Sequence, residues 1–209
     1  MLVRRRGDVM QTKETMMSVK PFAITLDVGT SLANRTGSWR TLKPVYVDRL
    51  PPCNAKCPAG EQCQAWLFHA QSGNYENAWK QIIEDNPFPA VMGRVCYHTC
   101  QGACNRNGID EPVGINAVER FLGDYALEKG WQLPVPAADT GKRILIVGAG
   151  PAGLSAAYQL RRLGHAVHVV ESAEAAGGMM RYGSPKYRLP REVLDQEIAR
   201  IAALGVEFE

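Results

Sequence analysis

The sequence predicts an α+β protein in which an all-helical region is followed by the start of an α/β region. Between Cys53 and Trp131, apolar side chains recur every three or four residues, which is the period of an amphipathic helix. After Arg143, short β-branched runs alternate with a helical pattern, as in a β-α-β unit. The Pro-rich stretch LPVPAADTG at 133–141 separates the two patterns and indicates a linker.

These patterns divide the chain into four predicted segments. Residues 1–50 have weak periodicity and several methionines at which translation could start, so we expect a loosely ordered arm there. The other segments are a helical domain over 51–132, the linker over 133–141, and the N-terminal part of an α/β domain over 142–209.

Composition argues against several classes of protein. The chain has 209 residues, 45% of them hydrophobic, and a formal charge of +3, which is typical of a globular protein. Basic residues are scattered apart from Arg4–Arg6, so we expect no nucleic-acid partner. No apolar run approaches the roughly 20 residues of a membrane span, and no apolar stretch after the arginines suggests a signal peptide. We therefore expect a cytoplasmic protein.

Three longer helices are predicted in the first region, at 61–71, 74–85 and 114–129. The second stops at Asn86-Pro87, because proline cannot continue a helix, and the third ends at Gly130. Three of the six cysteines fall between the second and third of these helices, and two precede the first. We therefore expect short helices arranged around cysteine-bearing loops.

The second region has the pattern of alternating strands and helices. The run RILIV at 143–147 predicts a buried strand, and residues 150–164 predict a helix that ends at Gly164. A second strand is predicted at 165–171, a second helix at 190–205, and a third strand begins with VEFE. A parallel sheet needs more strands than these. We expect an incomplete domain, either a fragment of a longer protein or one that a second chain completes.

A glycine motif connects the first strand to the helix that follows. Gly148, Gly150 and Gly153 form G-x-G-x-x-G directly after RILIV, and Glu171 ends the second strand 21 residues after Gly150. In such a unit the glycines allow a tight turn, close approach of a pyrophosphate and close helix packing. The acidic residue is positioned to accept hydrogen bonds from a ribose. The sequence therefore predicts a dinucleotide-binding, Rossmann-like unit.

The identity of the dinucleotide depends on a second glycine pair. Gly177 and Gly178 begin six residues after Glu171. An acid followed by two glycines at this interval resembles the FAD-binding domain of flavoprotein disulfide-reductase-like enzymes. FAD is therefore favoured over NAD(P), although a flexible glycine loop would give the same pattern.

The cysteine spacing indicates a metal site. Two triplets occur, Cys53-x3-Cys57-x5-Cys63 and Cys96-x3-Cys100-x3-Cys104. Structural zinc sites usually repeat C-x2-4-C and often use histidine, which has no matching spacing here. The second triplet is one residue too long for the radical enzymes that use S-adenosylmethionine. Thiolates are the ligands of iron-sulfur clusters, and CNAKCP matches the C-x3-C-P end of a bacterial ferredoxin motif. Iron-sulfur binding is the main interpretation; buried inert cysteines are the alternative.

From about residue 51 to 209 the chain resembles the small subunit of glutamate synthase and the matching N-terminal part of dihydropyrimidine dehydrogenase. The resemblance rests on CNAKCPAGE, NYENAWKQIIEDNPFPAVMGRVC, CQGAC, GINAVERF, GKRILIVGAGPAGLSAA and ESAEAAGGMMRYGSPKYRLP, in this order. It implies a helical domain with two [4Fe-4S] clusters, then an FAD domain with an inserted NADPH domain. Electrons would pass from NADPH to FAD and through the clusters to a larger catalytic or electron-accepting partner subunit.

The chain departs from the family pattern at the clusters. The family has a further C-x2-C pair before the position of Cys53, but PVYVDRL contains no cysteine. The resemblance assigns Cys53 and Cys104 to this depleted site. The ligands that it assigns to the other site are Cys57, Cys96, Cys100 and Glu119. One [4Fe-4S] cluster is therefore expected, with Glu119, Cys53 or Cys104 as its fourth ligand. Cys63 matches no family cysteine and is expected in the core.

The resemblance also implies where the flavin would bind. With the glycine motif, it places FAD on Gly148, Gly150, Ala152, Gly153, Glu171, Gly178, Met179 and Arg188. The sequence contains no second G-x-G-x-x-G for a nicotinamide nucleotide, so NAD(P)H oxidation is expected only in the complete enzyme. No residue is predicted to be a catalytic acid or base. The rival interpretation is a non-catalytic, cysteine-rich adaptor that binds zinc or an iron-sulfur cluster and has a vestigial nucleotide fold.

Overall fold

A computed structural model describes residues 50–209 of the chain. The predicted arm over 1–50 therefore lies, except for its last residue, outside the described residues. The first half of the described chain is helical, as expected, and a 3₁₀ turn over Asn105–Gly108 precedes its last helix. Its helices are α1 (Pro52–Lys56), α2 (Cys63–Gln71), α3 (Tyr75–Ile82), α4 (Pro89–Val95), α5 (Thr99–Gly102) and α6 (Ile115–Glu128).

The second half contains a small parallel sheet with helices between its strands. Its elements are β1 (Arg143–Val147), α7 (Pro151–Arg162), β2 (Ala166–Val170), α8 (Gly178–Tyr182), α9 (Arg191–Ala202) and β3 (Glu207–Phe208). The strand order is β1-β2-β3, and all neighbours are parallel. Val147 pairs with Val170, so the ends of β1 and β2 lie side by side. This is the β-α-β unit that the sequence predicts.

The described sheet is covered by helices on one face. Val167 and Val169 of β2 are buried against them. Because side chains alternate along a strand, Leu145 and Val147 of β1 point to the opposite face. They are 62% and 82% exposed, and no residue of β1 is fully buried, so the prediction of a buried strand for RILIV is wrong in the described structure.

Two glycines allow α4 and α6 to cross at backbone contact. A Cβ at Gly93 would lie 2.5 Å from the Cα of Arg120, and one at Gly123 would lie 2.3 Å from the backbone nitrogen of Ala90. Both distances are far shorter than a side chain tolerates. This close crossing fixes α6 against the segment that leads into Cys96.

The helical half and the α/β half share one apolar core. Trp79 and Phe88 from the first half pack in the same cluster as Leu154 and Leu194 from the second. Polar contacts add to it, since the Tyr158 hydroxyl donates to the carbonyl oxygen of Ile83 at 2.8 Å. Residues 50–209 therefore pack as one unit. None of the helices in this range is long and apolar enough to cross a membrane.

The predicted linker lies along the surface of the α/β half. Residues 133–141 have no regular secondary structure. Two backbone hydrogen bonds nevertheless attach this segment to the end of α7. The N–H of Ala137 donates to the carbonyl oxygen of Arg162 at 3.0 Å, and the N–H of Thr140 donates to the carbonyl oxygen of Gly164 at 3.1 Å. Leu133, at its start, is buried in the shared core.

Candidate metal-cluster and nucleotide site

Three of the predicted thiol ligands line one cavity of about 200 Å³. Cys57 follows α1, Cys96 follows α4, and Cys100 lies in α5. Glu119 of α6 lines the same cavity, and the glycine crossing of α4 and α6 fixes the position of its helix. Cys63, the first residue of α2, also lines the cavity. The sequence placed Cys63 in the core, and it is indeed buried there.

The other two predicted cysteine ligands do not line this cavity. Cys53 faces a separate open groove beside Gln62 and Phe68, and its thiol donates to Oδ1 of Asn54 at 3.6 Å. Cys104 precedes the 3₁₀ turn and is only partly buried. The structure therefore brings together Cys57 and the later predicted ligands, and it separates Cys53 and Cys104 from them.

Hydrogen bonds make Cys57 the most acidic thiol of the group. Hydrogen bonding to the Cys63 thiol and, to a smaller degree, to the backbone N–H groups of residues 59–61 favours the charged form of Cys57 and lowers its pKa. Together these bonds lower the pKa of Cys57 to about 6, although burial opposes them. A thiolate is the form that binds metal. The loop CPAGE thus prepares Cys57 as a ligand.

The other two thiols are governed by burial. Loss of water contact raises the pKa of Cys100 to about 11 and also raises the pKa of Cys96. The backbone N–H of His98 partly opposes this at Cys96, because it donates to that sulfur at 3.4 Å. His98 reaches this position with φ of 55°, a left-handed conformation that is rare for residues other than glycine. The short loop between Cys96 and Cys100 therefore turns sharply around the sulfur.

Asn86 connects two buried carboxyl groups at the cavity wall. Its Nδ2 donates to Oε1 of Glu61 and to Oε1 of Glu119, both at 2.9 Å, and its Oδ1 accepts from the N–H of Phe88 at 3.0 Å. Burial raises the pKa of Glu61 to about 7 and raises that of Glu119 well above its ordinary value. Nearby negative charge, including that of Cys57, adds to both effects. Asn86 thus fixes where the Glu119 carboxyl stands.

The side chains that line the cavity are of the kind that binds an iron-sulfur cluster. Among residues 50–209, no three His, Cys, Asp or Glu side chains are grouped as ligands of one metal ion would be. The thiols instead lie around a cavity with an apolar rim that includes Phe88, Met92 and Ile115. Soft thiolates in such a setting are the usual ligands of iron-sulfur centres.

The glycine motif forms the tight turn between β1 and α7. Gly148 has φ of 95°, which a side chain rarely permits, and Gly150 caps α7, whose first residue is Pro151. A Cβ at Gly153 would lie 1.9 Å from the carbonyl oxygen of Gly148. Ala152 is exposed in the first turn of α7. The helix N-terminus is therefore open to an anion, as a pyrophosphate site requires.

Glu171 lies beside this turn at the end of β2. Its Oε1 accepts from the N–H of Ala173 at 2.9 Å, and its Oε2 accepts from the N–H of Ala149 at 2.6 Å. These bonds lower the pKa of Glu171, so it stays ionised. Oε1 also accepts from the Ser172 hydroxyl at 3.4 Å, whereas Oε2 keeps a further lone pair that is available to a ribose hydroxyl.

The second glycine pair packs directly on the first glycine loop. The N–H of Gly177 donates to the carbonyl oxygen of Ala149 at 2.8 Å. A Cβ at Gly178 would lie 2.8 Å from the Cα of Gly150. Met179 follows with 73% of its side chain exposed. The predicted cofactor residues at 148–153, 171 and 178–179 therefore surround one surface.

Arg188 connects this surface to the cysteine loops. Its Nε donates to the carbonyl oxygen of Arg94, near the end of α4, at 3.1 Å. Two residues later the chain reaches Cys96. The segment that carries the last predicted flavin residue is thus attached to the helix that leads to a predicted cluster ligand.

Helix α7 is common to both sites. Gly150, at its N-terminus, belongs to the glycine loop, whereas Pro151 and Ser155 line the thiol cavity. Because an α-helix has 3.6 residues and rises 5.4 Å per turn, the cavity-lining residues lie within about one turn of the N-terminus at the glycine loop. Any group in the cavity is therefore close to any group on the loop.

Two family models match the chain in agreement with this geometry. Residues 47–131 match dihydropyrimidine dehydrogenase domain II, 4Fe-4S cluster, and residues 146–201 match the NAD(P)-binding Rossmann-like domain. The first match includes every cysteine and carboxyl group of the cavity, and the second includes the glycine loops and Glu171. The chain therefore carries a 4Fe-4S cluster domain followed by an NAD(P)-binding Rossmann-like domain.

Several proteins of known function are similar to the chain. The NADP(+)-dependent formate dehydrogenase subunit beta of Moorella thermoacetica is 39% identical, covering 74% of this chain and 25% of that protein. The NAD-dependent dihydropyrimidine dehydrogenase subunit PreT of Escherichia coli K12 is 38% identical, covering 76% and 39%. The glutamate synthase [NADPH] small chain of Bacillus subtilis is 37% identical, covering 73% and 31%. The chain thus spans between 25% and 39% of the length of these curated relatives. Its homologues thus include the glutamate synthase small chain, PreT and the formate dehydrogenase subunit beta.

Proposed function

We propose that the chain is the electron-transfer portion of an NAD(P)H-dependent oxidoreductase that passes electrons between FAD and one [4Fe-4S] cluster. The main support for this proposal is that one helix, α7, contributes residues to both the nucleotide loop and the thiol cavity. Its capping residue Gly150 belongs to the nucleotide loop, and its residues Pro151 and Ser155 form part of the cavity wall. A nucleotide cofactor and a metal cluster separated by one helical turn are suited to electron exchange.

We assign the cluster to the thiol cavity. The proposed ligands are Cys57, Cys96, Cys100 and Glu119. Of the residues that the sequence offered as ligands, these alone line the cavity within the described part of the chain. Cys53 and Cys104 lie outside it, which supports one cluster rather than two. The bonds around Cys57 hold it as a thiolate, and Asn86 orients Glu119.

We assign the flavin to the surface around the two glycine loops. The N-terminus of α7 would hold the pyrophosphate, Glu171 would accept from the ribose, and Met179 and Arg188 would lie towards the ring system. Bound flavin accepts a hydride and delivers single electrons to an iron-sulfur centre. The chain itself binds and orients the groups, and none of its described residues is assigned as a catalytic acid or base.

The partners are proposed from the relatives. PreT and the formate dehydrogenase protein are described as subunits, and the glutamate synthase protein as a small chain. By analogy, a larger subunit would accept the electrons, and NAD(P)H would reduce the flavin in the complete enzyme. We place the protein in the cytoplasm, where unpaired thiols stay reduced.

Metal and flavin analysis of the full chain tests this function. The protein is purified without oxygen, supplied with iron, sulfide and FAD, and analysed for iron, sulfide, zinc and flavin. We expect about four irons per chain, a paramagnetic signal after reduction with dithionite, and bound FAD. Cys96→Ala should abolish the cluster, whereas Cys104→Ala, outside the cavity, should retain it. Zinc alone, with neither iron nor flavin, would instead support a non-catalytic adaptor.

A further inference from the structure

The proposed thiol ligands come from two stretches of the chain that lie far apart in sequence. Cys57 follows α1, whereas Cys96 and Cys100 flank the turn that leads into α5. All the cysteines are free, so no disulfide ties the two stretches together. Another contact must therefore hold the thiols at one cavity.

A hydrogen bond between Thr99 and Lys56 joins these stretches. The Thr99 hydroxyl donates to the carbonyl oxygen of Lys56 at 2.9 Å, across 43 positions of sequence. Lys56 is the last residue of α1, and the carbonyl of such a residue has no partner within its own helix. In the described range 50–209, no other hydrogen bond connects residues 52–63 with residues 96–104.

Each partner in this bond directly precedes a proposed ligand. Lys56 is followed by Cys57, and Thr99 is followed by Cys100. Thr99 itself lines the thiol cavity together with both cysteines. A shift of either backbone at this bond would therefore move a thiol.

The helix that carries Cys100 depends on such outside contacts. Helix α5 has only four residues, which is too short to be stable by itself. Its capping residue His98 has φ of 55°, a conformation that persists only where the surrounding structure holds it. The bond to Lys56 is the one hydrogen bond of the Thr99 hydroxyl among the described residues, so this hydroxyl acts between the two stretches and not within α5.

We propose that Thr99 is a positioning residue whose hydroxyl holds the thiols of Cys57 and Cys100 at the separation that the cluster requires. This inference rests on the proposed function, because it needs a cluster on these two cysteines. Groups that hold metal ligands from behind contribute to metal affinity. A site that is already arranged also loses less conformational entropy when its ligand binds.

Two substitutions separate the hydroxyl from the shape of the side chain. Thr99→Val keeps the branched shape and removes the donor, whereas Thr99→Ser keeps the donor and removes a methyl group. Thr140→Val is the matched control, because the Thr140 hydroxyl also donates to a backbone carbonyl, that of Gly164 at 3.4 Å, but does not line the cavity. Both threonines are exposed, so the variants should fold.

The full chain is reconstituted with iron and sulfide without oxygen, and two properties are measured. The first is the rate of iron release to an excess of a ferrous chelator, and the second is the electron paramagnetic resonance spectrum after reduction with dithionite. We expect iron release about fivefold faster in Thr99→Val, the factor that corresponds to one hydrogen bond of about 1 kcal/mol. Its spectrum should also differ from that of the wild type, because the thiols move. Thr99→Ser and Thr140→Val should resemble the wild type in both measurements.

Three outcomes would overturn the inference. An unchanged release rate or an unchanged spectrum in Thr99→Val would show that the hydroxyl does not position the thiols. Equally fast release in Thr99→Ser would assign the effect to the shape of the side chain. Equally fast release in Thr140→Val would assign it to a general loss of stability. A wild-type protein that takes up no iron would instead refute the proposed function itself, and the inference with it.

Discussion

Gly153 gives the sharpest test of how tightly the nucleotide loop is built. In Gly153→Ala the new Cβ would lie 1.9 Å from the carbonyl oxygen of Gly148 and 3.1 Å from its carbonyl carbon. Ordinary van der Waals contact begins at about 3.4 Å. Both partners belong to the backbone, so no side-chain rotation can relieve the overlap. Helix α7 would have to move away from β1 by more than about 1 Å in a close-packed interior.

The cost of this movement can be bounded. Inserting a methyl group into a well-packed region costs about 1–3 kcal/mol, and a backbone clash belongs at the upper end. Alanine recovers up to about 1 kcal/mol of helix propensity relative to glycine. The net loss in the free energy of unfolding is therefore about 2 kcal/mol. For a domain of this size, that corresponds to a fall of about 4–8 °C in Tm.

Thermal denaturation followed by circular dichroism measures this loss, with Gly108→Ala as the control. Gly108 lies in the 3₁₀ turn without a positive φ, and a Cβ added there would have no other atom within 4 Å. Its substitution should change the free energy of unfolding by no more than about 0.5 kcal/mol. Binding of FAD should also weaken in Gly153→Ala, because the loop moves with α7. An unchanged Tm in Gly153→Ala would refute the steric argument.

Three further predictions concern the cluster, pH and the shared core. Glu119→Ala should lower the iron content measured after reconstitution, whereas Cys53→Ala should not; equal iron in both would remove Glu119 from the ligand set. Burial raises the pKa of Glu197 to about 7 from 4.5, so the stability associated with its protonated form is complete below pH 4.5 and is lost as the pH rises through 7. Glu197→Gln should flatten that fall in Tm between pH 4.5 and 8, and parallel profiles would contradict it. Tyr158→Phe leaves the carbonyl oxygen of Ile83 without its buried donor and should lower the free energy of unfolding, measured in urea, by about 1–3 kcal/mol. An unchanged free energy of unfolding would contradict this, because it would mean that water replaces the hydroxyl.

The elements that the sequence predicts best are those with strong local signals. The strand RILIV, the glycine turn and the helix after it follow from residues that are adjacent in the chain, and the structure has β1 and α7 in these places. The small helices were not predicted individually. Helix α4, with seven residues, is too short to show a clear period, and it depends on the crossing at Gly93 and Gly123.

The cavity could be predicted only in part. Spacing alone does not bring Cys57 near Cys96, and the resemblance to a family supplied that pairing. Glu61 and Asn86 were missed as parts of the site. Asn86 was interpreted only as a helix stop, because its bonds to Glu61 and Glu119 span 25 and 33 residues of sequence. The one available signal was a carboxyl group four residues after Cys57.

The shared apolar core has a consequence for how fast electrons could cross the molecule. Trp79 and Leu154 lie in the same packed cluster, so the half with the thiols and the half with the glycine loop have no hinge between them within the described residues. The distance between the two proposed redox centres is then set by the fold and does not change through domain motion. Transfer across it should proceed at the same rate in buffer and in viscous glycerol solution.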